Sequence, residues 1–281
     1  MKVALLSTFN IHMCCVGFLL DIFKDDEIDV YFPDDRDKYL EYYKTLYPGT
    51  NITLKSINLY NKDDYNSSVK ITANDPGPEC NISTAHLQGQ VLPERKYITL
   101  TPWVKGENVK YIFPLYRGVT NVSYNRTITY IGFFVDKYLD DDTARFIMES
   151  GYKFNFVGGD SYTRLNHLPN VRVRTRVSTF ELVDMIKESM FVLLRKEPFQ
   201  LTDRYSGAIG HAVSHKKPVI VQKYTADSYG LKGLVFEKDY CEVLDSVKNI
   251  TKEEYEELLK RADDTYNSIL EVNKDVKNYF L

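Results

Sequence analysis

Between residues 190 and 237 three short apolar segments surround one helix that opens on small residues, and few folds accept that order. Met190 to Leu194 is the first apolar run, Val219-Ile-Val221 the second, and the third begins at Leu234. Runs this short, rich in β-branched residues, read as strands buried on both faces. Between the first two, a helix opens at Ser206-Gly207 and ends at His215-Lys216-Lys217-Pro218. A helix that starts on small residues after a parallel strand turns free backbone N–H groups and a positive dipole end toward the space beyond the sheet. That space suits a phosphate.

The same alternation extends through the rest of the second half. Thr127 to Val135 and Lys153 to Val157 read as strands, the latter running into Gly158-Gly159-Asp160, and Val171 to Arg174 is another. Thr143 to Ser150 is helical and closes at Gly151. Ser178 with Glu181 three residues on forms a capping box for a helix through Glu188. A long charged helix from Lys252 to about Lys277 ends the chain. Strands alternating with helices at this pitch predict a parallel sheet covered on both faces.

The first half starts the same way and then loses regularity. Val3 to Ser7, Ile28 to Phe32 and Ile52 to Leu59 read as strands, with helices at Val16 to Phe23 and Asp35 to Tyr47. Residues 61 to 80, polar and carrying Pro76-Gly77-Pro78, predict a loop. Three strand candidates follow at Ile82, Tyr97 and Tyr111. The polar stretch Val119 to Arg126 marks a boundary, giving domains 1–122 and 123–281. At 281 residues each can bury its own core.

Composition narrows the partners. The formal net charge is −3 with mixed signs, so no basic face advertises nucleic acid. No apolar run is long enough to span a bilayer. Four cysteines, two of them adjacent at Cys14 and Cys15, make no disulfide scaffold, and the expectation is a cytoplasmic protein. Sequons at Asn51, Asn66, Asn81, Asn121, Asn125 and Asn249 read as compositional in an Asn-rich chain. Asp140-Asp141-Asp142 stands at a helix start, where acidic residues complement the dipole, so no metal is expected there.

Taken in order, the second-half motifs resemble the C-terminal domain of GT-B glycosyltransferases. Tyr130-Ile-Gly-Phe-Phe-Val-Asp-Lys137 looks like its opening strand and glycine, with Gly132 and Lys137 in corresponding places and Phe133 where an Arg is usual. Phe156-Val-Gly-Gly-Asp160 matches a glycine turn, Glu181-Leu182-Val183 a helical Glu-Leu pair, and Gly207 to Val219 a helix ending in Lys-Pro-Val. The resemblance implies an α/β chain of two Rossmann-like domains facing across a cleft, an N-terminal acceptor domain and a C-terminal donor domain. It implies transfer of a sugar from a nucleotide-diphosphate donor, with no other cofactor and no metal, to a glycan, protein or small-molecule acceptor.

The resemblance also assigns residues. Gly132, Lys137, Gly158, Arg204, Ser206, Gly207 and His211 would bind the donor. His86, after the strand Ile82 to Ala85, would lie near the transferred sugar, and Asp203 is the second catalytic candidate. Many retaining members carry two glutamates here; aligned on Lys217-Pro218-Val219, those positions hold Asp203 and His211. A neutral imidazole donates one hydrogen bond and accepts one, unlike a carboxylate, so the departure implies an altered grip on the ribose or lost catalysis. His12 lies after the first strand, and Arg172, Arg174 and Arg176 alternate along one face of an extended segment. A catalytically inactive GT-B-like module that binds nucleotide or glycan, and a nucleotide-sugar epimerase, stay open as alternatives.

Overall fold

The computed structural model describes residues 1–7, 13–33, 43–71, 78–85, 88–117, 121–132, 139–158, 165–175, 177–196 and 207–280. They divide into two compact units. The first holds Met1–Arg117 together with Ile269–Leu281, and the second holds the described residues from 121 to Ser268.

The first unit is built on β1 (Lys2–Leu6), α1 (Met13–Ile22), β2 (Glu27–Phe32), β3 (Asn51–Ser56), β4 (Ser67–Lys70), β5 (Ile82–Ala85), β6 (Lys96–Thr99) and β7 (Val109–Tyr111). Its strands form one sheet in the order β3-β2-β1-β4-β5-β6-β7. Every pairing is parallel, from Lys2 opposite Glu27 to Thr99 opposite Tyr111. Val3, Leu5, Ile28, Val30 and Val69 bury one face of it against Val16, Leu19, Leu20 and Phe23. Apolar area removed from water on this scale supplies the dominant favourable contribution to folding.

Two expectations are corrected here. Residues 61 to 80 are not all loop: Ser67 to Lys70 form a central strand, all four buried, between β1 and β5. Ser68 is satisfied inside the unit, because its hydroxyl donates to Asn81 Oδ1 at 2.7 Å and accepts from the Asn81 amide at 2.9 Å. The last thirteen residues also leave the second domain, where the sequence boundary put them. Val276 and Phe280 bury in the first core, and Asn273 pairs with both backbone groups of Phe113, at 3.1 and 2.7 Å.

The second unit contains β8 (Thr127–Ile131), α2 (Asp141–Glu149), β9 (Lys153–Val157), β10 (Val171–Arg174), α3 (Thr179–Glu188), β11 (Phe191–Leu193), α4 (Gly207–Ser214), β12 (Val219–Gln222), α5 (Lys223–Tyr229), β13 (Leu234–Phe236), α6 (Leu244–Lys248) and α7 (Lys252–Asn273) as far as Ser268; the end of α7 and a short α8 (Val276–Tyr279) belong to the first unit. The sheet order is β10-β9-β8-β11-β12-β13, again all parallel. Ile128, Tyr130, Phe146, Phe154, Phe156, Phe191 and Tyr255 form its core. The capping box of α3 is present, with the Glu181 amide donating to Ser178 Oγ and the Ser178 amide to Glu181. Strand β8 stops at Ile131 rather than Val135, because Gly132 turns the backbone to φ +122°.

Candidate functional site

Both sheets have the doubly wound order in which successive strands are added first on one side of the opening strand and then on the other. In the second unit the chain leaves β8 for β9 in one direction and β11 for β12 in the other. Right-handed crossovers then put α2 and α4 on opposite faces, which opens a crevice beyond the carboxyl ends of β8 and β11. In the first unit the equivalent point lies between β1 and β4. Folds of this kind bind ligands at such points.

Two glycines stand at the carboxyl ends of adjacent strands in the second unit. Gly132 follows β8 and donates its amide to Val157 O at 2.9 Å; Gly158 follows β9 and donates to Arg174 O at 3.1 Å. Both have left-handed backbone, φ +122° and +117°. The backbones lie so close that a Cβ on residue 158 would stand 2.9 Å from Gly132 O. Glycine at 158 therefore serves both the turn and the close approach. A Cβ on residue 132 would meet nothing within 4 Å.

On the other side of β8, three connections converge on Lys196. Lys196 stands three residues beyond the end of β11, its amide donates to Tyr240 Oη at 2.8 Å, and that hydroxyl donates to Leu194 O at 3.0 Å. Its ammonium reaches Asp140 Oδ2 at 2.5 Å and lies 6.0 Å from the Tyr240 ring centre. Asp140 caps α2, its other oxygen accepting from the Thr143 amide at 2.8 Å. Burial opposes the charge on Asp140, but the hydrogen bonds from Lys196 and Thr143 outweigh it and hold the carboxyl below the ordinary range. Thus the connection after β8 and the connection after β11 are tied together by one ion pair beside the crevice. Sequence reasoning missed Lys196, since its partners stand far from it along the chain.

Helix α4 follows β11, as the sequence predicts. Gly207 is its first residue, and every residue from Ala208 to Ser214 is buried. His211 is among them, with its ring 6.4 Å from that of His215. Burial, aided by His215, pushes the His211 pKa down to about 3, so the imidazole is neutral at ordinary pH. The helix ends in a Schellman motif: Lys216 has φ +51°, its amide donates to Val213 O, and the Lys217 amide donates to Ala212 O. Lys217, buried, donates its ammonium to Asn121 O, Lys187 O and Ser189 O at 2.6, 2.7 and 2.8 Å. The Lys-Pro-Val motif thus ties the end of α3 to β12. Burial pushes the Lys217 pKa down to about 8.

Of the residues assigned by resemblance, Gly132, Gly158, Gly207 and His211 lie among the described residues, the glycines at the carboxyl edge or the start of α4. Lys137, Asp203, Arg204, Ser206 and His86 lie outside them, as do His12 and Arg176. The segments holding Lys137 and Arg204 are those that leave β8 and β11, the two strands flanking the crevice. Arg174 ends β10 half-buried, while Arg172 is exposed. Asp141 and Asp142 occupy the first turn of α2.

Asp142, Asp239 and Cys241 bring potential metal-ligating atoms within 4.8 Å of one another. The cysteine is engaged otherwise, donating to Asp142 O at 3.1 Å and accepting from Arg145 Nε at 3.3 Å. Asp239 caps the turn that follows, accepting from the Cys241 amide at 2.8 Å. Among the described residues no helix is long and apolar enough to cross a membrane.

No protein-family model matches the chain, and no curated protein matches its sequence. Solved structures do match its fold along almost its whole length. AviGT4, a glycosyltransferase involved in avilamycin A biosynthesis, aligns with TM-score 0.57 at 10% identity, covering 99% of this chain and 97% of its own. A DNA-modifying β-glucosyltransferase aligns with TM-score 0.58 at 9% identity, covering 100% and 99%. Sucrose-phosphate synthase from Thermosynechococcus elongatus aligns with TM-score 0.58 at 13% identity, covering 99% and 98%. With two all-parallel doubly wound sheets in one chain, the protein has the GT-B glycosyltransferase fold.

Proposed function

We propose that the protein is a nucleotide-sugar glycosyltransferase whose donor site lies at the carboxyl edge of the second unit's sheet. The observation that carries this reading is the pair Gly132 and Gly158, which brings side-chain-free backbone together beside the strand-order reversal. A diphosphate needs close backbone approach, helix N–H groups and cations, and this edge offers the first two. Lys137, Arg204 and the Ser206-Gly207 helix start supply charge and donors to the leaving diphosphate. That arrangement provides the electrostatic stabilisation such a transfer requires, with no demand for a metal.

His86, following β5 in the first unit, takes the acceptor's proton or binds the donor sugar, and Asp203 is the carboxylate near the reacting carbon. Neutral His211 takes the position of a ribose-binding glutamate, with one donor and one acceptor. The acceptor is a glycan, a protein or a small molecule; the net charge of −3 argues against a polyanion.

The test is a transfer assay. UDP-, GDP-, CMP-, ADP- and dTDP-sugars are offered with a panel of glycan, protein, small-molecule and duplex-DNA acceptors. Acceptor glycosylation with one nucleotide family, lost in Arg204→Ala, supports the proposal. Release of nucleoside diphosphate with no acceptor modified favours an epimerase-like enzyme. Tight nucleotide binding with no turnover identifies an inactive binding module.

A further inference from the structure

We infer that Lys196 is a donor-binding cation kept in reserve by Asp140, and that the ion pair opens when the diphosphate arrives. The inference rests on the donor site proposed above and adds a residue and a partner exchange to it.

Position comes first. Lys196 and Asp140 belong to the two connections that flank the crevice, one after β11 and one after β8. Their bond therefore stands beside the place where the strand order reverses, on the same sheet edge as Gly132 and Gly158.

The backbone of Lys196 is fixed while its head is not. Tyr240 Oη accepts from the Lys196 amide and donates to Leu194 O, which anchors the chain at the strand end. The ammonium meets a single carboxylate oxygen, and the Lys196 and Asp140 side chains are 24% and 46% exposed. An ion pair this open to water contributes little to stability and exchanges partners at low cost. Lys217 in the same unit shows the opposite design: three carbonyls and full burial hold its ammonium permanently.

Asp140 is built to stay when the lysine leaves. Its Oδ1 keeps the Thr143 amide at the start of α2, so the carboxylate remains a helix cap. A diphosphate carries more charge than the carboxylate it replaces and accepts a charge-assisted bond from the same ammonium. The cost of binding includes breaking the Lys196–Asp140 pair and bringing an anion near Asp140. Removing the Asp140 charge therefore tightens binding, while removing the Lys196 charge weakens it.

The experiment is calorimetric titration of the full chain with UDP, GDP, ADP and dTDP at low salt. It compares wild type with Lys196→Gln, Asp140→Asn and the double variant. Asparagine caps helices as well as aspartate, so Asp140→Asn leaves α2 intact. Expected is binding of one nucleotide about tenfold weaker in Lys196→Gln, equivalent to about 1.4 kcal/mol. Asp140→Asn binds it about threefold tighter, and adding Asp140→Asn to Lys196→Gln gains less than that, because part of the gain comes from freeing the lysine. Circular dichroism melts check that each variant folds. If wild type binds one nucleotide and both single variants bind it equally well, or both weaken it, the pair is a structural strut and the inference fails while the donor site stands. If folded wild type binds none of the four, the donor site and the inference fall together.

Discussion

Gly132 O stands 2.9 Å from the point that a Cβ on residue 158 would occupy, so the ends of β8 and β9 approach as closely as backbone allows. Both residues also hold positive φ. The two glycines differ in what a side chain would meet, and that difference is measurable. Gly158→Ala combines backbone strain with collision against a neighbouring carbonyl and is expected to destabilise the second unit by about 3 kcal/mol. Gly132→Ala carries only the strain, about 1 kcal/mol. Urea unfolding of both variants checks the order; equal losses would show that the close approach is absent.

Lys217 is buried and donates to three backbone carbonyls, and its role is structural. Replacing it with methionine keeps the stem but removes the ammonium from the carbonyls of Asn121, Lys187 and Ser189. The expected loss is about 3 kcal/mol in denaturant unfolding, with nucleotide affinity of the folded protein unchanged. A variant as stable as wild type contradicts the assignment.

Acid should destabilise the second unit through His211. In the folded chain burial, aided by His215, delays its protonation until about pH 3, whereas the unfolded side chain takes its proton near pH 6.5. Between those values the unfolded state binds more protons, so stability falls as pH falls, by up to about 1.4 kcal/mol per pH unit. Carboxylates such as Asp140, held below their ordinary range, add to the same trend at lower pH. The His211 contribution is isolated by His211→Gln, whose loss of stability between pH 6.5 and 4 is expected to be smaller by about 2 kcal/mol. Parallel pH profiles for the two proteins would refute a buried neutral imidazole.

Much of the second unit was legible because its local signals agree with its topology. The glycines after β8 and β9, the Ser178–Glu181 box and the small-residue start of α4 each have one physical reading, and each occupies the place that reading predicts. The first unit was harder. Ser67 to Lys70 lacks the apolar run of a central parallel strand, and the Ser68–Asn81 and Thr84–Lys70 bonds that accompany its burial are tertiary. The return of the chain end was hidden because α7 and α8 read as one helix. The break at Lys274 and the pairing of Asn273 with Phe113 are tertiary facts. Lys196 and Asp140 were unreadable as a pair for the same reason: nothing local links them.

The central claim is that a nucleotide diphosphate binds at the carboxyl edge of the second sheet. Hydrogen–deuterium exchange tests it most directly, using the nucleoside diphosphate that most raises the melting temperature. Slowed exchange is expected in the peptides that follow β8 and β11 and at the start of α4, with no change around α6 and the first turns of α7. Protection confined to other segments, or none at saturating nucleotide, would contradict it.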